Sequence, residues 1–335
     1  MRVLVTGADG FIGRALVAEL LHASDVAGKK ITRLLLVDRQ FEKQYSDSRV
    51  RIHCGDIGDP RLLRRVLADG VSIVFHLASV PGAAAEKDYS LGYQVNLLGS
   101  QEIIEQIRCM EPAVRLVFAS SVAVYGDELA GQLHERSFVR PRLSYGCHKH
   151  MIELLVDDLG RRGEIDGCAV RLPGVVARPQ SRGMGSAFMS DLLVHIAEDR
   201  HYICPVSETA TAWWLSLKCC VENLVRLAEV DAASLDKHRI IQLPVLHLSI
   251  AQVVDALAKR FGEERRSLVT FEPDAHIEKL FGQYPKIRTP WARQLGLAHD
   301  GNVHRLVRNA LAEHAGELGK PASGATHKHL VKESV

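Results

Sequence analysis

Short β-branched or leucine-rich runs recur along the first half of the chain: RVLVT (2–6), TRLLLVD (32–38), RVRIHC (49–54), SIVFHLA (72–78), VRLVFAS (114–120) and CAVRLP (168–173). Helix-patterned segments separate them through residue 171. This alternation predicts an α/β fold of the Rossmann type, a doubly wound parallel sheet with helices on both faces. After Pro173 the pattern breaks. ARPQSRGMGS (177–186) reads as a loop, while AFMSDLLVHIAED (187–199) and SIAQVVDALAKRFG (249–262) read as amphipathic helices. The expected organisation is a nucleotide-binding domain over 1–172 and a smaller C-terminal substrate lobe over 173–315, some of whose elements return to the sheet. The segment 316–335, rich in Gly, Ser, Lys and His, is an expected disordered tail.

Composition narrows the class without naming it. The chain has 335 residues, 47% hydrophobic and 24% charged, as a soluble globular protein does. A net charge of +2 gives no reason to expect a nucleic-acid or membrane partner. The seven cysteines are odd in number and contain no C-x-x-C, which suits a reducing compartment. No signal peptide is recognisable, and no apolar run approaches the roughly 20 residues of a spanning helix. A cytoplasmic protein is expected.

The first chemical motif is VTGADGFIGRAL. Gly7, Gly10 and Gly13 follow a strand and open a helix, so the backbone can turn tightly and aim free N–H groups at a pyrophosphate. Asp38 ends the second strand, where a carboxylate can bond both ribose hydroxyls and would repel a 2′-phosphate. NAD is therefore the expected cofactor, although the adjacent Arg39 pulls toward NADP. CGDIGD adds Asp56 and Ile57 as a clamp on adenine, or else as an ordinary helix N-cap.

SYGCHKHM (144–151) admits two chemistries, a proton relay or a metal site. Apolar residues at Leu143, Cys147, Met151, Leu154, Leu155 and Leu159 have a helical period. Tyr145 and Lys149 then stack at i and i+4, while His148 and His150 point to nearly opposite sides. The two histidines cannot share a metal from one helix, so no metal is expected and both are read as solvent-facing; Cys147 is read as a small buried hydrophobe. A phenol with a pKa near 10 is a poor base at neutral pH. A neighbouring ammonium and the nicotinamide charge would lower it, and ~2–3 pKa units correspond to roughly 3–4 kcal/mol. Ser120 and Ser121 end the fifth strand, where open α/β sheets place their ligand crevice.

Together these residues make the chain resemble the extended short-chain dehydrogenase/reductase superfamily, also called the NAD-dependent epimerase/dehydratase family. The matching pieces are T-G-x-x-G-x-x-G at Thr6–Gly13, Asp38, Asp56–Ile57, HLAS at His76–Ser79, NLLG at Asn96–Gly99, SSVAVYG at Ser120–Gly126 and Y-G-x-x-K at Tyr145–Lys149. They cover about the first 180 residues. The resemblance implies NAD held by Gly7, Gly10, Phe11, Ile12, Gly13, Asp38, Asp56, Ile57, Leu77, Ala78, Tyr145 and Lys149. It implies Ser121 as the catalytic hydroxyl, Tyr145 as acid/base, Lys149 on the nicotinamide ribose and Asn96 as support for the local backbone and proton network.

Departures from the family pattern narrow the substrate. RLPGVVARP places Pro173 and Gly174 where nucleotide-sugar enzymes carry R-x-x-N-V-Y-G-P, and Val122–Ala123 replace the acidic pair of dehydratases. RLPGVVARP, GSAFMSDLL, CPVSETATAWWLSLKCCVENL and RTPWARQLGL, spanning Arg171–Leu297, together resemble the D-erythronate dehydrogenase branch of this superfamily instead, which implies oxidation of the C2 hydroxyl of a small sugar acid. Arg178 is the nearest cation for its carboxylate, with a solvent-exposed loop charge as the default reading. Ser79 and Ser121, with backbone N–H groups, are the alternative holders, and Trp213 and Trp214 either wall the pocket or pack between lobes. The competing readings are a sugar epimerase and a nucleotide sensor without catalysis. By analogy with relatives, a homodimer is expected through helices around Gly92–Met110 and Leu143–Leu159.

Overall fold

The computed structural model describes residues 1–127, 129, 131–178, 186–235 and 238–312. The expected tail over 316–335 and most of the expected loop over 177–186 lie outside the described residues.

Ten strands carry the architecture: β1 (Arg2–Thr6), β2 (Arg33–Asp38), β3 (Val50–Cys54), β4 (Ile73–His76), β5 (Arg115–Ser121), β6 (Asp166–Leu172), β7 (Gly174–Val176), β8 (Thr211–Ser216), β9 (Ile240–Gln242) and β10 (Leu246–Ser249). Seven form one sheet in the order β3-β2-β1-β4-β5-β6-β9, with every neighbouring pair parallel. The order reverses between β1 and β4, and such a reversal opens a crevice at the carboxyl ends of the strands. The six strand-like runs of the sequence all lie in this sheet; β9 extends it from beyond residue 172.

The strands are apolar at consecutive positions because each face has its own core. Val3, Val5, Leu34, Leu36 and Val117 pack on one side with α1 (Phe11–Ala23); Leu4, Leu35, Val37, Leu116 and Phe118 pack on the other. The second side is covered by α2 (Pro60–Leu67), α3 (Gly99–Arg108) and α4 (Ser144–Arg161). On α1, Leu16, Val17 and Leu20 are fully buried, each contributing about 1.5–3 kcal/mol.

The chain beyond β6 divides its residues between the two lobes. Helix α6 (Leu217–Glu229) lies beside α1 on the nucleotide-binding sheet. The second core gathers α5 (Ala187–Ala197), α7 (Ile250–Phe261) and α8 (Val303–Ala310) around the small sheet β7-β8-β10, with Trp214 fully buried. Ser249 and Gln252 close a capping box at the start of α7, which ends at Phe261 before a glycine.

Candidate active site

Strand β1 delivers the chain at Thr6 into a turn that only glycine fits. Gly7 has φ +66°, and a Cβ there would lie 2.7 Å from the Ala78 nitrogen; a Cβ on Gly13 would lie 2.0 Å from the Gly7 carbonyl. Backbone therefore crosses backbone, and the unsatisfied N–H groups of the α1 N-terminus face a cavity of about 800 Å3. Gly7, Gly10, Phe11, Ile12, Gly13, Asp38, Asp56, Ile57, Leu77 and Ala78 all line it. Asp38 accepts the amides of Asp9 at 2.9 Å and Arg39 at 2.7 Å, which fix its carboxylate in the wall. Asp56 accepts the Gly58 amide at 2.8 Å, while Asp59 is the residue that caps α2. A side-chain-free cradle at a helix N-terminus with a carboxylate beyond it fits a dinucleotide.

The same cavity reaches Ser79, Ser121, Tyr145, Lys149 and Arg178. Ser121 closes β5, its Oγ accepting the Ala123 amide at 3.1 Å. Asn96 does not line the cavity. It is fully buried in a π-helical turn, Tyr93–Leu98, where its Oδ1 accepts the Val80 amide at 2.7 Å and the Ser79 hydroxyl at 3.0 Å. Its Nδ2 donates to the Val80 carbonyl at 3.0 Å, so Asn96 braces the strand end that carries Ser79. Beneath it, buried His76 joins Thr6 (2.6 Å) to Ser100 (2.9 Å), tying the glycine turn to the same helix.

Tyr145 and Lys149 sit one turn apart on α4, facing the cavity. Lys149 is 1% exposed, donates to the Ala119 carbonyl at 2.8 Å and lies 4.7 Å from the centre of the Phe118 ring. Burial pulls its pKa down to about 7, against the opposing pull of Glu153. Burial also raises the Tyr145 pKa, opposed by Ser121, Ser79 and the charge of Arg178. Lys149 Nζ lies 5.7 Å from the centre of the Tyr145 ring. A lysine this desolvated carries only part of a charge at neutral pH, and the permanent cation acting on Tyr145 is Arg178.

Arg178 follows Ala177, a buried non-glycine residue at φ +63°, a conformation that costs on the order of 1–3 kcal/mol. That turn brings the guanidinium to 5.1 Å from the centre of the Phe11 ring, inside the cavity. Trp213 also lines the cavity, stacked on Tyr284 at 4.6 Å; Trp214 instead packs in the second core. His276, Phe281 and Tyr284 complete this wall. None of these three was legible beforehand, because no local motif marks a residue that reaches the site from the far end of the chain.

Three expectations for α4 need correction. His148 is 3% exposed, between the rings of Tyr89 and Tyr93, and His150 bonds Glu153 at 3.1 Å, so neither is a free surface residue. Cys147 is exposed, as are Met151 and Leu154. The helix has two apolar faces, and the buried one carries Gly146, Lys149, Ile152, Val156 and Leu159. Lys149 and Glu153 lie inside because buried partners receive them, the Ala119 carbonyl for Lys149 and Ser120 with Arg171 for Glu153, which inverts a reading based on apolar residues alone.

Comparison with known proteins agrees with this geometry. Residues 3–229 match the model of the NAD dependent epimerase/dehydratase family. The chain is 34% identical to a D-erythronate dehydrogenase of Cupriavidus necator, over 94% of this chain and 99% of that one. It is 31% identical to a D-erythronate dehydrogenase of Haemophilus influenzae, over 92% and 98%. Among solved structures, a nucleoside-diphosphate-sugar epimerase from Agrobacterium tumefaciens superimposes with a TM-score of 0.89 at 27% identity, over 94% of this chain and 95% of that one. With seven parallel strands, a glycine cradle and a match over most of its length, the chain belongs to the NAD dependent epimerase/dehydratase family, and its cofactor is NAD.

Proposed function

We propose that the protein oxidises the C2 hydroxyl of a small sugar acid, D-erythronate, to the 2-keto acid, with Ser121, Tyr145 and Lys149 as its catalytic groups. The observation that carries this reading is that Arg178 and Tyr145 line one cavity. In a 2-hydroxy acid the carboxylate is bonded to the carbon that loses hydride. The cation that holds the acid and the base that takes the hydroxyl proton must therefore be neighbours. The two D-erythronate dehydrogenases similar over nearly the whole chain support the same substrate.

Bound NAD would lie along the glycine turn and Asp38 and would supply the hydride acceptor. The chain's own residues do the rest. Arg178 pairs with the carboxylate, and Ser79 adds a further donor by turning its hydroxyl from Asn96 Oδ1 to the acid. Ser121 holds the C2 oxygen, and Tyr145 takes its proton. Lys149 bonds the nicotinamide ribose and adds its charge beside the phenol, and Asn96 keeps Ser79 and Val80 in place.

Exposed Tyr89 (57%), Met151 (46%) and Leu154 (53%) on the flank of α4 support a homodimer through that face. Among the described residues no helix is long and apolar enough to cross a membrane. A cytoplasmic location agrees with cysteines that are all free.

The epimerase reading retains the support of the Agrobacterium structure. Both are tested by mixing purified protein with NAD and either four- and five-carbon sugar acids of each configuration or a sugar nucleotide, following nicotinamide absorbance and the sugar products. Stoichiometric NADH with D-erythronate is the expected outcome. Sugar-nucleotide interconversion with no net NADH would overturn it.

A further inference from the structure

Behind the cavity lies a charged cluster that the proposed chemistry does not itself consume. Glu153 is fully buried on α4, one turn beyond Lys149. Its Oε1 accepts from Ser120 Oγ at 2.6 Å and Arg171 Nε at 2.9 Å; its Oε2 accepts from Arg171 Nη2 at 2.8 Å and His150 Nδ1 at 3.1 Å. Arg171 in turn donates from Nη1 to the Tyr125 hydroxyl at 3.1 Å. Ser120 and Arg171 are direct partners across β5 and β6, so the cluster spans both strands that end at the cavity. For stability alone, a buried ion pair has no advantage over well-packed apolar residues of the same volume. Its place beside the catalytic helix asks for another reason.

We propose that Glu153 is a positioning residue: clamped by Ser120, Arg171 and His150, its carboxylate serves as the counter-charge that keeps the Lys149 ammonium protonated for cofactor binding. This rests on the reading of Lys149 as the residue that bonds the nicotinamide ribose. Lys149 has few other sources of support. Tyr145, on its own helix, is held neutral by burial, and His76, on β4, is neutral because burial pulls its pKa down to about 3. Arg171, on β6, carries the opposite sign, and the Tyr125 phenol is pushed up by burial and stays neutral. Lys149 itself makes one hydrogen bond, to a carbonyl, and leans on the Phe118 ring. Glu153 is the group that acts to raise its pKa, and Arg171 with Ser120 holds Glu153 firmly in the ionised form.

The test follows the Lys149 side chain by NMR in NAD-free protein, with Lys149→Met to assign the signal, and NAD affinity across pH by calorimetry. In the wild type, NAD affinity falls as pH rises through about 7, where Lys149 loses its proton. Glu153→Gln keeps the shape and the acceptor for Ser120 and is expected to lower the Lys149 midpoint by at least about one unit, weakening NAD at pH 7.5 about tenfold. That weakening should be recovered at lower pH. Because Glu153→Gln leaves Arg171 buried without its partner, the double variant Glu153→Gln/Arg171→Met is measured as well, with the same downward shift expected. An unchanged Lys149 midpoint in the folded double variant overturns the proposal, even where activity is lost. The NMR measurement needs no sugar acid, so a failed substrate screen and a failed counter-charge remain distinguishable.

Discussion

The two walls of the cavity are made of different material. The cofactor wall is mostly backbone: Gly7 and Gly13 meet neighbouring main chain at distances no side chain would allow, and Asp38 is held by two amides. The opposite wall is made of side chains gathered from distant positions, Arg178, Trp213, His276 and Tyr284 among them. Backbone complementarity suits a ligand whose diphosphate is always the same. Side chains can be exchanged without disturbing the sheet, so the wall that sets the substrate can change while the cofactor wall stays.

Single substitutions separate the two walls. The largest effect belongs to Tyr145→Phe, which should lower kcat about a thousandfold while NAD binds as before, measured by stopped-flow turnover and by calorimetry. Loss of NAD binding along with turnover would mean that the phenol belongs to the cofactor wall. Next comes Arg178→Met, expected to raise KM for the sugar acid about thirtyfold, the worth of a charge-assisted hydrogen bond, with an unchanged NAD dissociation constant. A weakened NAD dissociation constant at unchanged KM would instead place Arg178 on the cofactor diphosphate. The smallest is Asp38→Asn, which should weaken NAD about tenfold, narrow the gap to NADP and leave the KM of the acid alone. Unaltered cofactor preference would shift the discrimination to Arg39.

The same division explains what could be read in advance. The six strand runs, the glycine turn, Asp38 and the Tyr145–Lys149 pair are local patterns, and local sequence carries them. The faces of α4 were misread, because a helix with apolar residues on both sides gives no sign of which side the sheet will cover. His148 was placed in solvent although Tyr89 and Tyr93 enclose it, and Cys147 was placed in the core although it faces out. Glu153 shows the same limit from the other side. Its spacing from Lys149 is visible in the sequence, but its partner Arg171 stands on a strand with nothing nearby to announce the pairing.

By itself the sequence determined the doubly wound sheet, the dinucleotide cradle and the stacking of Tyr145 and Lys149 on one face of a helix, since each depends on a period or spacing within a few turns of chain. Tertiary structure alone decided the charges. Lys149 is a weak base because the fold buries it, Arg178 is the cation beside Tyr145 because a left-handed turn at Ala177 carries it there, and Glu153 is ionised because two strands bring Ser120 and Arg171 to it. Desolvation and Coulomb attraction act through space, and the distances that set them exist only in the folded chain.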